Sequence, residues 1–259
     1  MFRTNFLRFY QDFLEKMPSA DDQYKIEKLP TLIRMEGPGS TAFENSIVHC
    51  NLTDVRDLEC VIDEQIAYFG NKQRSFEWKY SSLYQPKELE SILLNKGFQA
   101  GEKEEILVLD LSAPLNVGDI SCELAIKEIA SDEQVSDLVN LQNEIWGGGL
   151  DWLKSSLQRE KRNAPESLYI FGCYQQEKLV ATGWVKLHHP LASLYGGATL
   201  PAVRGKGAFR ALVRQRAILA KIHNCSYLMV EAAPMSSPIL KALDFHYLGD
   251  TRPYIWQCS

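Results

Sequence analysis

At 259 residues the chain is longer than the ~100–150 residues of a usual domain, so it holds one large domain or two smaller ones. Its 45% hydrophobic and 24% charged residues exclude collagen-like, low-complexity and wholly disordered classes, and a net charge of −5 argues against nonspecific binding of nucleic acid. No apolar run reaches the ~18–20 residues of a membrane helix, and charges interrupt the N-terminal stretch where a secretory signal would be apolar, so a cytoplasmic protein with no membrane partner is expected.

The first predicted element is an amphipathic helix in which Phe2, Phe6, Phe9, Tyr10 and Phe13 recur at helical spacing. After the turn-rich GPGS at 37–40, alternation over 46–53 predicts a strand, and Thr53 is placed as the N-cap of a helix running to Phe69. A strand at 76–82, a helix opening with Pro86 and closing at Gly97, and a strand at 106–112 follow. Pro and Gly between 113 and 118 place a boundary there, dividing the chain into 1–117 and 118–259. A strand at 122–130 then leads to a helix capped by Ser131, with Gln134 completing a capping box, that ends at the glycines 147–149. A second helix spans about 151–162. Strands at 167–175, 178–188 and 191–200, joined by short polar connections, predict antiparallel pairing. A helix over 208–223 ended by Asn224, a strand at 226–232, a short helix with Pro238 in its first turn and a last strand at 252–258 complete the chain.

The six cysteines, at 50, 60, 122, 173, 225 and 258, form no C-x-x-C pair and read as reduced, mostly buried small residues. His188 and His189 are the only histidines close in sequence, and neighbours on a strand point to opposite faces, so no metal is expected. A weak internal echo links the segment from Phe76 to Phe98 with that from Tyr227 to Phe245: strand, short turn, proline-started helix, terminal Phe. A duplicated fold and a chance similarity of two β-α units both account for it.

Charge is more informative in its distribution than in its sum. Between Glu177 and Glu231 lie 53 residues without one carboxylate, where an even spread would place about seven. That gap holds Lys178, Lys186, Arg204, Lys206, Arg210, Arg214, Arg216 and Lys221, which suits either a solvated helix face or a compact anionic ligand. Within it, a strand ends at Thr199-Leu200 and Arg204-Gly205-Lys206-Gly207 leads directly into a basic amphipathic helix. Glycines let a phosphate approach the backbone, and the N–H groups of the turn and of Ala208 and Phe209 converge with the helix dipole into an anion cradle. Arg210 breaks the dinucleotide fingerprint G-x-G-x-x-G, and Gly207 after Lys206 breaks the nucleotide P-loop.

This segment resembles the acetyl-CoA motif of the GCN5-related N-acetyltransferases, the GNAT superfamily: a strand followed by Q or R, two variable residues, G, one variable residue, and G or A. Arg204 and Gly207 match, while Phe209 stands in the final small-residue position. The wider pattern T-L-P-x-x-R-G-x-G-x-F-R-A-L, followed by S-x-P-I-L-x-x-L-x-F, is similar to a bacterial branch of that family and covers about 122–259. The first half resembles a truncated, motif-less copy. The resemblance implies an α+β fold, an α/β three-layer sandwich on a mixed, mostly antiparallel sheet, in tandem, with residues 1–117 a degenerate copy and 118–259 the acetyl-CoA-binding domain.

The resemblance further implies acetyl transfer from acetyl-CoA to an amine, with no metal and no covalent enzyme intermediate. Backbone groups of Thr199 and Leu200 would pair with the pantetheine arm, the Leu200 N–H would polarise the thioester carbonyl, and Arg204, Gly205, Lys206, Gly207, Ala208 and Phe209 would hold the diphosphate where neighbouring strands splay apart. Attack by a neutral amine needs a proton acceptor, an N–H for the oxyanion and a proton or dipole for the leaving thiolate. Glu231, the first carboxylate in 54 residues, is the candidate base; a carboxylate satisfied by backbone N–H groups is the alternative. Leu240 occupies the position at which many family members carry an acidic tyrosine. Ser236 and Ser237 are candidates near the sulfur or the pantetheine, or simple helix caps. Tyr195 and Tyr254 read as core aromatics. Trp146, Gly147 to Gly149 and Trp152 form either a mobile lid over the acceptor or core packing. The acceptor is a small-molecule or peptide amine, the protein a monomer or homodimer, and a non-catalytic CoA-binding sensor is the rival reading.

Overall fold

The computed structural model describes residues 2–16, 22–52, 54–115 and 124–258. They form two compact units built from interleaved stretches of chain. Unit N comprises Tyr10–Leu107, Glu231–Ser237 and Tyr247–Ser259; unit C comprises Met1–Phe9, Val108–Val230 and Pro238–His246. Segment 116–123, which contains most of the expected boundary, lies outside the described residues.

In chain order the elements are α1 (Phe2–Lys16), β1 (Lys25–Lys28), β2 (Leu32–Glu36), β3 (Asn45–Cys50), α2 (Val55–Gly70), β4 (Phe76–Ser81), α3 (Glu88–Asn95), β5 (Gln99–Ala100) and β6 (Glu104–Asp110). They continue as β7 (Leu124–Glu128), α4 (Asp132–Trp146), α5 (Trp152–Asn163), β8 (Leu168–Gln175), β9 (Lys178–His188), β10 (Leu191–Thr199), a 3-10 turn (Pro201–Val203), α6 (Ala208–Ile222), β11 (Tyr227–Ala232), α7 (Ser237–Lys241) and β12 (His246–Trp256). Among the described residues no helix is long and apolar enough to cross a membrane.

In unit N the strand order is β1-β2-β3-β4-β12, antiparallel except for the parallel pair β3/β4 that α2 connects. The apolar faces of α2 and α3 bury Leu58, Ile62, Phe69, Leu89 and Leu93 against Phe76, Trp78, Tyr80 and Tyr254. Phe69 and Phe76 stack with ring centroids 4.5 Å apart. Each such side chain contributes about 1.5–3 kcal/mol by leaving water. Alternation along β4 then sends Glu77, Lys79 and Ser81 to the opposite face.

In unit C the order is β11-β10-β9-β8-β7, with a parallel pair only between β10 and β11. Helices α4 and α5 cover one face, burying Val135, Leu138, Leu153 and Leu157 on Leu168, Ile170 and Trp184. Helix α6 covers the other, because Gly183, the neighbour of Trp184, faces the Arg216 side chain. Helix, mixed sheet and helix make the expected three-layer α+β arrangement.

Most elements match their sequence signals. The Ser131–Gln134 capping box is present, Gly147 ends α4 in a left-handed conformation at φ +86, and Asn224 does the same after α6 at φ +59. Thr53, the expected cap of α2, lies outside the described residues; Asp54 performs that role, its carboxylate accepting from the Arg56 N–H at 2.9 Å. The last strand begins at His246 rather than 252, and β1, β2 and β5 are additions to the expected set.

Candidate functional site

The cradle is built where β10 gives way to α6. Val203 is buried and anchors the turn, its N–H bonded to the Leu200 carbonyl at 3.0 Å, while Arg204, Gly205 and Lys206 project outward. Gly205 and Gly207 take φ values of +77 and +91, conformations that favour glycine, and a Cβ on either would meet nothing within 4 Å. The corner above them is open. Gly207 caps α6 without a side chain to accept from its first turn, and Ala211 makes the first intrahelical bond, to the Gly207 carbonyl at 2.9 Å. The N–H groups of Gly207, Ala208, Phe209 and Arg210 therefore have no intrahelical acceptor, and they carry the positive end of a 15-residue helix dipole. Phe209 does not obstruct them. Its ring packs on β10 at Gly197, where an added Cβ would sit 3.0 Å from the ring, so the missing side chain at 197 accommodates the large residue at 209.

Strand β10 pairs with β11 over three positions only, Leu191↔Tyr227 to Ser193↔Met229, and the two strands then part. On its other edge β10 continues against β9 as far as a bond from the Leu200 N–H to the Val180 carbonyl at 3.0 Å. This corrects one expectation: the Leu200 N–H is spent on the sheet and cannot also polarise a thioester. Antiparallel alternation turns the main-chain groups of Thr199 to the opposite edge, the one β11 has left. The Thr199 carbonyl there accepts from Arg204 Nε at 3.2 Å, and Thr199 Oγ1 is buried with no hydrogen-bond partner. An orphaned hydroxyl at that edge fits a polar ligand lying along it. Beside Leu200, on the α4 side, Asn140 and Lys178 help to line a cavity of about 260 Å³.

Midway along, β10 bulges. Its register against β9 shifts between Tyr195 and Ala198, and Gly196 takes φ +59 with the Trp184 ring where a Cβ would be. Gln142 from α4 donates through Nε2 to the Gly196 carbonyl and to Thr182 Oγ1, both at 2.8 Å, and its Oε1 accepts from the Trp146 indole at 3.0 Å. From the α6 side, Arg216 is 1% exposed and donates through one guanidinium nitrogen to the Trp184 and Tyr195 carbonyls, both at 3.2 Å, and through Nε to Leu212. Burial pulls its pKa down to about 9, and no carboxylate contributes.

The remaining candidates belong to unit N. Glu231, near the end of β11, forms an ion pair with Lys79 of β4. Although burial disfavours its charge, the carboxylates of Glu231 and Glu77 hold the Lys79 ammonium above its ordinary range. Burial, followed by the repulsion of Glu231, pushes the Glu104 carboxyl up to about 7. Ser237 is buried and donates to Glu105, while Ser236 donates back to the Ala233 carbonyl at 3.1 Å, so both hydroxyls are engaged within their own unit. Among the described residues, no three His, Cys, Asp or Glu side chains gather as a metal-holding group.

No family model matches the sequence, and no curated protein matches it. Solved structures do resemble it. A GCN5-related N-acetyltransferase from Kribbella flavida superposes with a TM-score of 0.70 at 12% identity, over 90% of this chain and 89% of that one. A functionally unknown conserved protein from Staphylococcus epidermidis gives 0.69 at 11% identity, over 92% and 95%. A tandem GNAT protein from the clavulanic acid biosynthesis pathway gives 0.64 at 11% identity, over 92% and 85%. The chain has the fold of the GCN5-related N-acetyltransferases.

Against that acetyltransferase fold two departures acquire physical content. Leu240 is 1% exposed, a core residue with no hydroxyl to offer. Phe209 is accommodated by Gly197 and leaves the glycine corner clear. Sequence reasoning passed over Gln142, Lys79 and Glu104, whose partners lie far along the chain. Arg216, expected among the cations of a solvated helix face or an anion site, is instead buried on backbone carbonyls. The signal that could have marked it is its place in the buried stripe Ala208, Leu212, Ala217 and Ala220 of α6.

Proposed function

We propose that this chain is a cytoplasmic N-acetyltransferase that moves an acetyl group from acetyl-CoA to the primary amine of a small-molecule or peptide acceptor by direct attack. The observation that carries this reading is the open corner over Gly205 and Gly207, set at the end of a strand that has parted from its parallel neighbour. The N–H groups of Gly205, Gly207, Ala208 and Phe209, with the side chains of Arg204 and Lys206, bind the diphosphate, and the free edge at Thr199 pairs with the pantetheine. Acetyl-CoA, when bound, supplies an acyl carbon activated as a thioester. With the Leu200 N–H committed to Val180, the donor to the acyl oxygen is assigned to Gly197 on the bulge.

The amine nitrogen bonds to the acyl carbon as the C–S bond breaks; the amine loses one proton and the sulfur leaves as a thiol after gaining one. Glu231, which forms the ion pair with Lys79, is the proposed acceptor of the amine proton, and Ser237, on giving up its bond to Glu105, the proposed donor to the sulfur. A second reading, a CoA-binding module without turnover, draws support from the apolar Leu240 and from the bond that Ser237 makes to Glu105.

Calorimetry with CoA tests the cradle. Gly207→Trp fills the phosphate approach and is expected to abolish binding, and Lys206→Glu, an exposed change, to weaken it about tenfold; unchanged affinity in both removes the cradle. Release of free thiol from acetyl-CoA across a panel of amines separates enzyme from sensor. A Glu231→Gln variant that keeps the wild-type pH–rate profile removes Glu231 as the base.

A further inference from the structure

We propose that Gln142 and Arg216 are positioning residues that clamp the β10 bulge from the two faces of the sheet and so fix the direction of the Gly197 N–H. The inference rests on the transfer reading above and assigns work to side chains that touch neither coenzyme nor acceptor.

The geometry is that of two successive carbonyls drawn to opposite sides. Arg216, on α6, takes the Tyr195 carbonyl at 3.2 Å; Gln142, on α4, takes the Gly196 carbonyl at 2.8 Å. In a trans peptide the N–H points away from the carbonyl of the same plane. Holding the Gly196 carbonyl toward α4 therefore holds the Gly197 N–H away from it. At this bulge the ladder with β9 is interrupted, and β11 has already parted from β10, so neither neighbouring strand sets these peptide planes. Gly196 has no side chain to steer it either, and it sits at φ +59. Without the two side chains the bulge would be the softest stretch of β10.

Each clamp is itself held. The Trp146 indole donates to Gln142 Oε1 and thereby fixes which end of the amide faces Gly196, while Thr182 Oγ1 takes the second contact of Nε2. Arg216 lies over Gly183, where a Cβ would come within 2.7 Å of a guanidinium nitrogen, so a glycine makes the room that the group needs. A buried guanidinium bonded only to carbonyls is costly, since no anion offsets its desolvation. A merely apolar filler such as Met would be cheaper, which is why the cation is assigned a positioning role.

The test combines Gln142→Leu, Trp146→Phe and Arg216→Met with two readouts. The first, independent of activity, is amide hydrogen exchange of Gly197 followed by NMR; Gln142→Leu and Arg216→Met are expected to speed it about tenfold or more, and Trp146→Phe by less. The second is kinetic: kcat falls about ten- to a hundredfold in Gln142→Leu, within the range for loss of an oxyanion donor, while CoA affinity stays within about twofold because other donors bind the diphosphate. Unchanged Gly197 exchange overturns the clamp. So does a loss of CoA affinity in parallel with kcat, which marks a general structural role. If the wild type neither binds CoA nor releases its thiol, the transfer reading fails, and the exchange measurement still decides whether the clamp exists.

Discussion

Glu104 illustrates how one residue reports its surroundings. Its carboxyl titrates at about 7 against an ordinary 4.5, raised first by burial and then by Glu231. The folded state thus holds this proton more tightly than the unfolded state, so the associated stability is complete below about pH 4.5 and is lost as the pH rises through 7. Glu104→Gln is expected to match the wild type in Tm near pH 4 and to exceed it at pH 8, measured by thermal denaturation across that range. Gly196 gives a second residue-scale expectation: Gly196→Ala drives a Cβ into the Trp184 ring at a left-handed φ, and denaturant titration should show a loss of about 2 kcal/mol or more. The signals that escape a linear reading are of this kind. Nothing local marks Glu104 or Lys79, because Glu231, more than a hundred residues away in the chain, makes them unusual. Gln142 likewise reads as any helical glutamine until Gly196 and Trp146 are placed beside it.

At the scale of elements, what was legible follows from locality. Ser131 and Gln134 announce α4 because capping chemistry acts within four residues; Ser131→Ala is expected to cost about 1 kcal/mol, read from the denaturation midpoint. The glycine corner before α6 was legible for the same reason, since Gly205 and Gly207 adopt the left-handed conformations that glycine favours. Strand β1 was not, because Lys25, Glu27 and Lys28 look like loop residues; Glu27 is held in place by Lys25 and by Arg34 of β2, which keep its carboxyl down at about 2. The start of β12 also escaped, since Gly249, Asp250 and Pro253 read as turn formers. Its pairing with β4, Thr251↔Ser81 through Trp256↔Phe76, is decided by residues about 170 to 180 positions earlier. That is a non-local choice which local propensity cannot announce.

At the scale of the whole molecule, the likeness to solved structures of this fold spans about nine-tenths of the chain, while identities are 11–12%. The fold is shared with few of the same side chains, and the chain's own local feature is one cationic, glycine-bearing turn in an otherwise acidic protein. The division into units bears on how the protein can be dissected. β4 lies between β3 and β12, and β12 comes from the final stretch of chain. A fragment of residues 1–117 therefore lacks the strand that covers one edge of β4, and it is expected to give no cooperative thermal transition by circular dichroism; a sharp transition would show that the unit closes without β12.

The same interleaving sets a schedule for synthesis. A ribosome delivers residues 10–107 long before it delivers 251–256, so β4 must wait with one flank bare while the intervening stretch, which holds most of unit C, is made. Commitment of the earlier-made layer thus depends on residues made about 170 to 180 positions later, and damage in β12 would be felt at β4.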